Sequence, residues 1–141
     1  MPGKSDYWEN RLLDHILGAV ASTAPATIYV GLVTTLPNDA STSGALTPGV
    51  EVTGGAYARV AVTNNATNWP AAAAGAKANG TAITFPAPTA NWGVIVGFFL
   101  SDVASGAGNI FYFGAITPNK TVNNGDPAPS FAIGDLDISE D

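Results

Sequence analysis

Two apolar runs constrain this chain most: residues 94–100 (VIVGFFL) and 110–116 (IFYFGAI), held apart by a polar stretch, 101–109, that contains Gly106 and Gly108 but no proline. Both runs are too short to cross a membrane as a helix. Both have strand length and are rich in β-branched and aromatic residues. They predict adjacent, central strands of a β-domain. Successive side chains on a strand point to opposite faces, so the neighbours Phe98 and Phe99, and Phe111, Tyr112 and Phe113, place large rings on both faces. Both faces are therefore expected to be covered by protein.

A chain of 141 residues is expected to form one domain, spanning 1–141, that buries most of its unfolded surface. It has no cysteine, which excludes disulfides, thiolate metal sites and cysteine nucleophiles. Only 11% of residues are charged and the formal net charge is −6, so phosphate backbones and anionic membrane surfaces would repel it. The N-terminal segment MPGKSDYWENRLLDHILG interrupts its apolar residues with charges, unlike a signal peptide, and the expected place of synthesis is a cytosol. Low charge with abundant Ala, Gly, Thr and Asn suits a protein packed beside copies of itself or other subunits.

Along the chain, Asp6 and Glu9 have the spacing of a capping box, and Leu12, Leu13, Ile16, Leu17 and Val20 follow at helical spacing, with Trp8 one turn before Leu12. One amphipathic helix over about residues 6–17 is predicted, with Gly18 as its stop and Asn10, Arg11 and Asp14 on the polar face. Residues 27–34 read as a strand in which Gly31 marks a close approach or a bulge. Residues 35–50 lack periodicity and contain Pro37 and Pro48, giving a long polar loop expected to be functional or ordered by a partner. Residues 51–53 and 57–63 resume pairing, and 64–80 form an Asn- and Ala-rich loop holding Trp69-Pro70. Asn79-Gly80 signals a turn into a strand at 81–85, and Asn124-Gly125 signals another between 120–123 and 130–138, the last with a register change at Gly134. About seven strands with one leading helix predict a mainly β fold, an antiparallel β-sandwich.

Few residues offer chemistry. His15, the one histidine, borders the polar helix face and reads better as a surface residue than as a general base, which would need an orienting partner. Asp135, Asp137, Glu140 and Asp141 form the one dense carboxylate set; a solvated, partly frayed terminus is favoured over a calcium site, because no ligand loop accompanies it. The glycosylation patterns at Asn65, Asn79 and Asn119 read as exposed turns. Trp69 and Trp92 could stack on sugar rings, though indoles at strand entrances more often staple sheets together. Arg59, beside Tyr57, reads as a structural ion pair or cation–π contact rather than a ligand contact. No catalytic, cofactor or metal residues are assigned. Candidate partner contacts are Trp8 on the helix, Asn38, Asp39, Ser41 and Thr42 in the long loop, and Trp69.

Several blocks carry a resemblance: Tyr7 to Asn10 leading to Leu12 to His15, the strand IYVGL from Ile28, the run GGAYAR from Gly54, Asn91-Trp92-Gly93, GNIFYFG from Gly108, and Asn124-Gly125-Asp126. In this order they resemble the small β-domain virion proteins of tailed bacteriophages, labelled as tail-fibre-like or head-decoration proteins. The resemblance implies a structural role without catalysis. The leading expectation is a capsid decoration, or cement, protein on the outer surface of the head, a homotrimer whose partners are the major capsid protein and its own copies. Binding only the assembled lattice would stabilise that lattice by mass action. The alternative is a tail-fibre or baseplate domain contacting host surface glycans.

Overall fold

The computed structural model describes residues 3–140. In chain order the elements are β1 (Gly3–Lys4), α1 (Asp6–Leu17), β2 (Thr27–Thr35), β3 (Val50–Glu51), β4 (Val60–Thr63), β5 (Ala76–Ala78), β6 (Ile83–Thr84), β7 (Gly93–Ser101), β8 (Ile110–Val122), β9 (Ser130–Phe131) and β10 (Asp137–Ser139). The fold is mainly β, antiparallel throughout, with one helix. The main sheet runs β1-β8-β7-β2-β3, and β4 shares the β3 side of β2 by pairing with residues 27–30. The two apolar runs are adjacent and central as expected, with Phe98 opposite Gly114 and Phe99 opposite Phe113.

Both faces of this sheet are buried. On one, Val30 and Leu32 of β2 and Phe98 and Leu100 of β7 join Val62, Trp69, Ile83, Phe85, Trp92, Leu136 and Ile138 in the main core. The short ribbons β5–β10 and β6–β9 contribute several of these residues and so make the second layer. Phe131 sits edge-on to Phe98 and Phe85, at 6.0 and 6.3 Å between ring centres. On the other face, Val33, Phe99 and Ile110 pack with Leu46 of the 36–49 loop. Burial of a large apolar side chain stabilises by about 1.5–3 kcal/mol, which is why adjacent rings on a strand demand two covers.

The structure departs from the sequence expectations in several places. Ten strands are present among the described residues: β1 and β5 were not expected, and the expected strand at 130–138 is split where Gly134, at a positive φ of 83°, turns the chain between β9 and β10. Residues 120–123 are not a separate strand. β8 continues to Val122, and four residues, 116–119, oppose the single residue 96 where Pro118 interrupts the ladder. Tyr57, Ala58 and Arg59 precede β4 rather than belong to it. The helix has its expected bounds, but its N-cap is Ser5, whose Oγ accepts from Trp8 N at 3.3 Å; Asp6 is the first helical residue.

Asn79 is a larger departure. Its Nδ2 donates to the carbonyls of Thr81 and Ala132 at 2.9 Å each, and its Oδ1 accepts from Leu136 N at 2.9 Å. It is a buried tie between the β5–β6 connection and the β9–β10 turn, not an exposed turn residue.

Candidate interaction surface

The helix is fixed to the sheet by its first turn. Ser5 is fully buried, its Oγ donates to the carbonyl of Ile110, and its N–H donates to Phe111 O at 3.2 Å. The half-buried Trp8 ring meets Phe111 edge-on at 5.5 Å, with Tyr7 at 6.0 Å from the same ring. Arg11 donates to Tyr7 Oη at 3.0 Å, Ser22 Oγ at 2.6 Å and Thr23 O at 3.3 Å, which ties the returning 18–26 segment to the helix. The opposite stripe has no cover: Leu13, Ile16 and Leu17 are 57, 73 and 81% exposed, and Val20, just beyond the helix end, is 55% exposed. Residues seven and four apart share a helix face, so Asp6 and Glu9 stand on this same stripe, one to two turns before the aliphatic residues.

Beside the first turn lies an open cleft of about 380 Å³, lined chiefly by apolar groups including Trp8, Ile28, Trp69, Leu100, Phe111 and Ile138. Lys77 and Glu140 are its charged lining residues. Glu140 accepts from Lys4 Nζ at 2.6 Å and from Tyr112 Oη, which itself accepts from Trp8 Nε1 at 2.8 Å. Partial burial pushes the Glu140 carboxyl up, but the Lys4 and Tyr112 hydrogen bonds and the Lys4 charge outweigh it and hold the group below its usual range. Burial, and then the bond to Glu140, push the Tyr112 phenol well above its ordinary value. Lys77 is exposed and has no side-chain partner among the described residues.

The 35–50 loop was expected to need a partner for order; it is ordered from within instead. Ser41, Ser43 and Leu46 are buried, and Ser41 Oγ donates to Leu46 O at 2.9 Å and accepts from Asn38 N at 3.0 Å. The sequence signal was hidden because serines bury well only when the backbone around them supplies partners. The clamp on this loop is Arg59. Its Nε and Nη2 donate to the two Glu51 carboxylate oxygens at 2.8 Å each, Nη1 donates to Val103 O at 3.0 Å, and Nη2 also donates to Ser43 O at 2.9 Å. The guanidinium stands 4.9 Å from the Phe99 ring centre. Arg59 thus has the structural role its sequence setting suggested, as ion pair and cation–π contact together. Tyr57 Oη donates to Glu51 at 2.9 Å and accepts from Leu32 N; burial, then the Glu51 charge, raise its pKa far above the ordinary value.

The structure draws the candidate contacts toward one end of the sheet. Trp8 and Trp69 line the same cleft, and Asp6 N donates to Asp39 O at 2.8 Å, so the helix start and the loop tip adjoin. Asn38, Asp39 and Thr42 are exposed, Trp8 is half-buried, and Ser41 and Trp69 lie within the domain. Trp92 is buried as well, donating to Gly55 O at 2.9 Å, so the indoles serve the core rather than offering free faces. His15 is exposed, its Nδ1 at 3.0 Å from Val20 O beyond the helix end. The carboxylates near the C-terminus are exposed and do not converge: Asp135 Oδ2 accepts from Ala132 N, Glu140 joins Lys4, and Asp137 lies in β10 opposite Ala78 of β5; Asp141 lies outside the described residues. Among the described residues no cluster of three His, Cys, Asp or Glu has metal-binding geometry. Lys77 and the cleft itself went unforeseen. Their parts come from remote segments that no spacing rule joins.

A family model named Gp80, described as "Podophage GP4 fiber I protein gp80", matches residues 3–139. The chain belongs to the Gp80 family. No curated protein matches it. Gp80 membership makes the chain a phage virion structural protein, the class that its sequence blocks resemble. The match runs from β1 into β10 and so takes in the helix, the cleft and the clamped loop alike.

Proposed function

We propose that this chain is a non-catalytic structural subunit of a podophage tail fibre. The supporting observation is the near full-length match to a family described as a fibre protein. The cleft is in keeping with that role. Its lining is mostly apolar, and its lining carboxylate, Glu140, is engaged by Lys4 and Tyr112, which leaves no nucleophile–base or acid–base pair among the described residues there. The partners are then neighbouring virion proteins and copies of itself, and the location is the tail.

Head decoration, which the sequence resemblance also implied, makes a different prediction. Electron cryo-microscopy of particles carrying a tagged copy decides between them. Tag density at the tail in a few copies per particle is the expected result, with loss of adsorption when the gene is removed. Tag density over the whole capsid lattice, with normal adsorption but fragile heads on removal, would replace the fibre reading with the cement reading.

A further inference from the structure

The helix stripe and the cleft are complementary features on one chain. The stripe is a row of exposed aliphatic side chains ending in the carboxylates of Asp6 and Glu9. The cleft is an apolar trough of about 380 Å³ with the ammonium of Lys77, unpartnered among the described residues, at its lining. We propose that the cleft of one copy receives the exposed helix stripe of a second copy, with Leu13, Ile16 and Leu17 in the apolar trough and the acidic start of the helix toward Lys77.

Three observations favour a second copy over another occupant. Both halves of the contact are present on the same molecule, and since Lys4 offsets the Glu140 carboxylate, the remaining charge of the cleft lining, Lys77, is opposite in sign to Asp6 and Glu9. Leu13, Ile16 and Leu17 of the stripe, and Val20 just beyond it, are each more than half exposed, a concentration of apolar surface that monomers rarely leave open. A net charge of −6 with only five cations also makes each exposed cation a scarce point of attraction for an acidic helix. An amphipathic helix laid in an apolar groove is a recurrent recognition mode. Because stripe and cleft are different surfaces, the contact is head-to-tail, and it closes into a ring when the rotation between copies permits. This inference goes beyond the fibre reading and holds wherever in the virion the protein sits.

The test uses the purified full chain. Sedimentation equilibrium is expected to show a concentration-dependent oligomer. Ile16→Asp, Ala72→Trp and Lys77→Glu are each expected to raise its dissociation constant about tenfold or more while leaving the circular dichroism spectrum unchanged. Lys77→Glu covers the case in which Ala72→Trp fails to fold. The chain has no native cysteine, so mixing an Ile16→Cys chain with an Ala72→Cys chain under oxidation should yield a disulfide-linked heterodimer. A monomer at every concentration, an oligomer indifferent to Ile16→Asp, or cross-linking confined to Ile16→Cys with itself would each overturn the proposal. The last result would mean helix-to-helix pairing.

Discussion

Gly31 stands directly opposite Phe99 across the β2–β7 ladder, and the Phe99 ring fills the space that a side chain at Gly31 would need. Phe99 is fully buried and lies under the Arg59 guanidinium, so the ring has little freedom to give way. Gly31→Val should therefore destabilise the protein by about 1–3 kcal/mol through overpacking, and Phe99→Ala by about 3–5 kcal/mol through the cavity it leaves. Combined with Phe99→Leu, the Gly31→Ala change should cost less than the sum of the two alone, because the smaller partner makes room. Urea unfolding of these variants, singly and combined, checks this; strict additivity would show that the contact does not matter.

Arg59 should be as sensitive, for an electrostatic reason. Removing it leaves Glu51 without its bidentate partner and frees the carbonyls of Ser43 and Val103. Arg59→Met is expected to lose about 3–5 kcal/mol, and Arg59→Lys most of that, since an ammonium cannot match the fork. Hydrogen exchange should show the 38–47 loop losing protection before the β7–β8 strands do. Deleting residues 38–47 should destabilise the domain for a related reason: Leu46 is part of the second core cluster.

The Glu140 contacts give a pH dependence with a definite sign. Its folded pKa lies below the usual value of 4.5, so the native state holds its proton less readily than the unfolded chain. The stabilisation is present above that value and is lost as pH falls through the lower folded value. Urea midpoints measured from about pH 6 to about pH 3 should fall, and Glu140→Gln should remove part of the fall. Tyr57 and Tyr112 work in the opposite direction. Their raised folded pKa values stabilise the protein below the ordinary tyrosine value of 10.0, and that stability is lost as pH rises past it. Alkaline absorbance titration of Tyr57→Phe and Tyr112→Phe should each lose a late-ionising step.

The helix should divide into a half that matters to the monomer and a half that does not. Trp8→Ala removes a ring packed on Phe111 and a hydrogen bond to Tyr112, and should cost about 3 kcal/mol. Leu17→Ala and His15→Ala alter exposed positions and should stay within about 0.5 kcal/mol of the parent in dilute solution. Thermal unfolding of the three variants at low concentration separates these outcomes.

The helix and the central hairpin were legible in the sequence because local patterns encode them. A cap, a stop and 3.6-residue periodicity bounded the helix at residues 6–17, and unbroken apolar runs marked strands buried on both faces. The place of Gly31 was legible too, because a glycine within a β-branched run leaves room that a neighbouring group can occupy, and here the Phe99 ring does so. Asn79 was misjudged because Asn-Gly is a turn signal whether or not the asparagine side chain is buried, and its partners Ala132 and Leu136 lie far along the chain. The order of the 36–49 loop was invisible for the same kind of reason: it depends on one guanidinium reaching the carbonyls of two loops. The cleft was the least legible feature, assembled from the helix, β2, β7, β8, the 69–77 segment and the last strand. The helix was readable, but the face it would pack was not: Trp8, read with the aliphatic stripe, packs with Tyr7 and with Arg11 of the expected polar face, while Leu13, Ile16 and Leu17 stay exposed.

The long strand β8 bears on how copies of this domain are kept from joining in unintended ways. On its outer side β1 pairs only with Tyr112 and Phe113, so among the described residues the stretch from Gly114 onward is a free sheet margin. Such a margin ordinarily templates strand addition and uncontrolled polymer growth. Here Pro118 withholds an N–H, residues 116–119 bulge out of register, and Lys120 puts a charge on the exposed rim. A sparsely charged virion protein is thereby hindered from zipping into fibrils along its longest strand, and orderly assembly is left to surfaces with a definite shape.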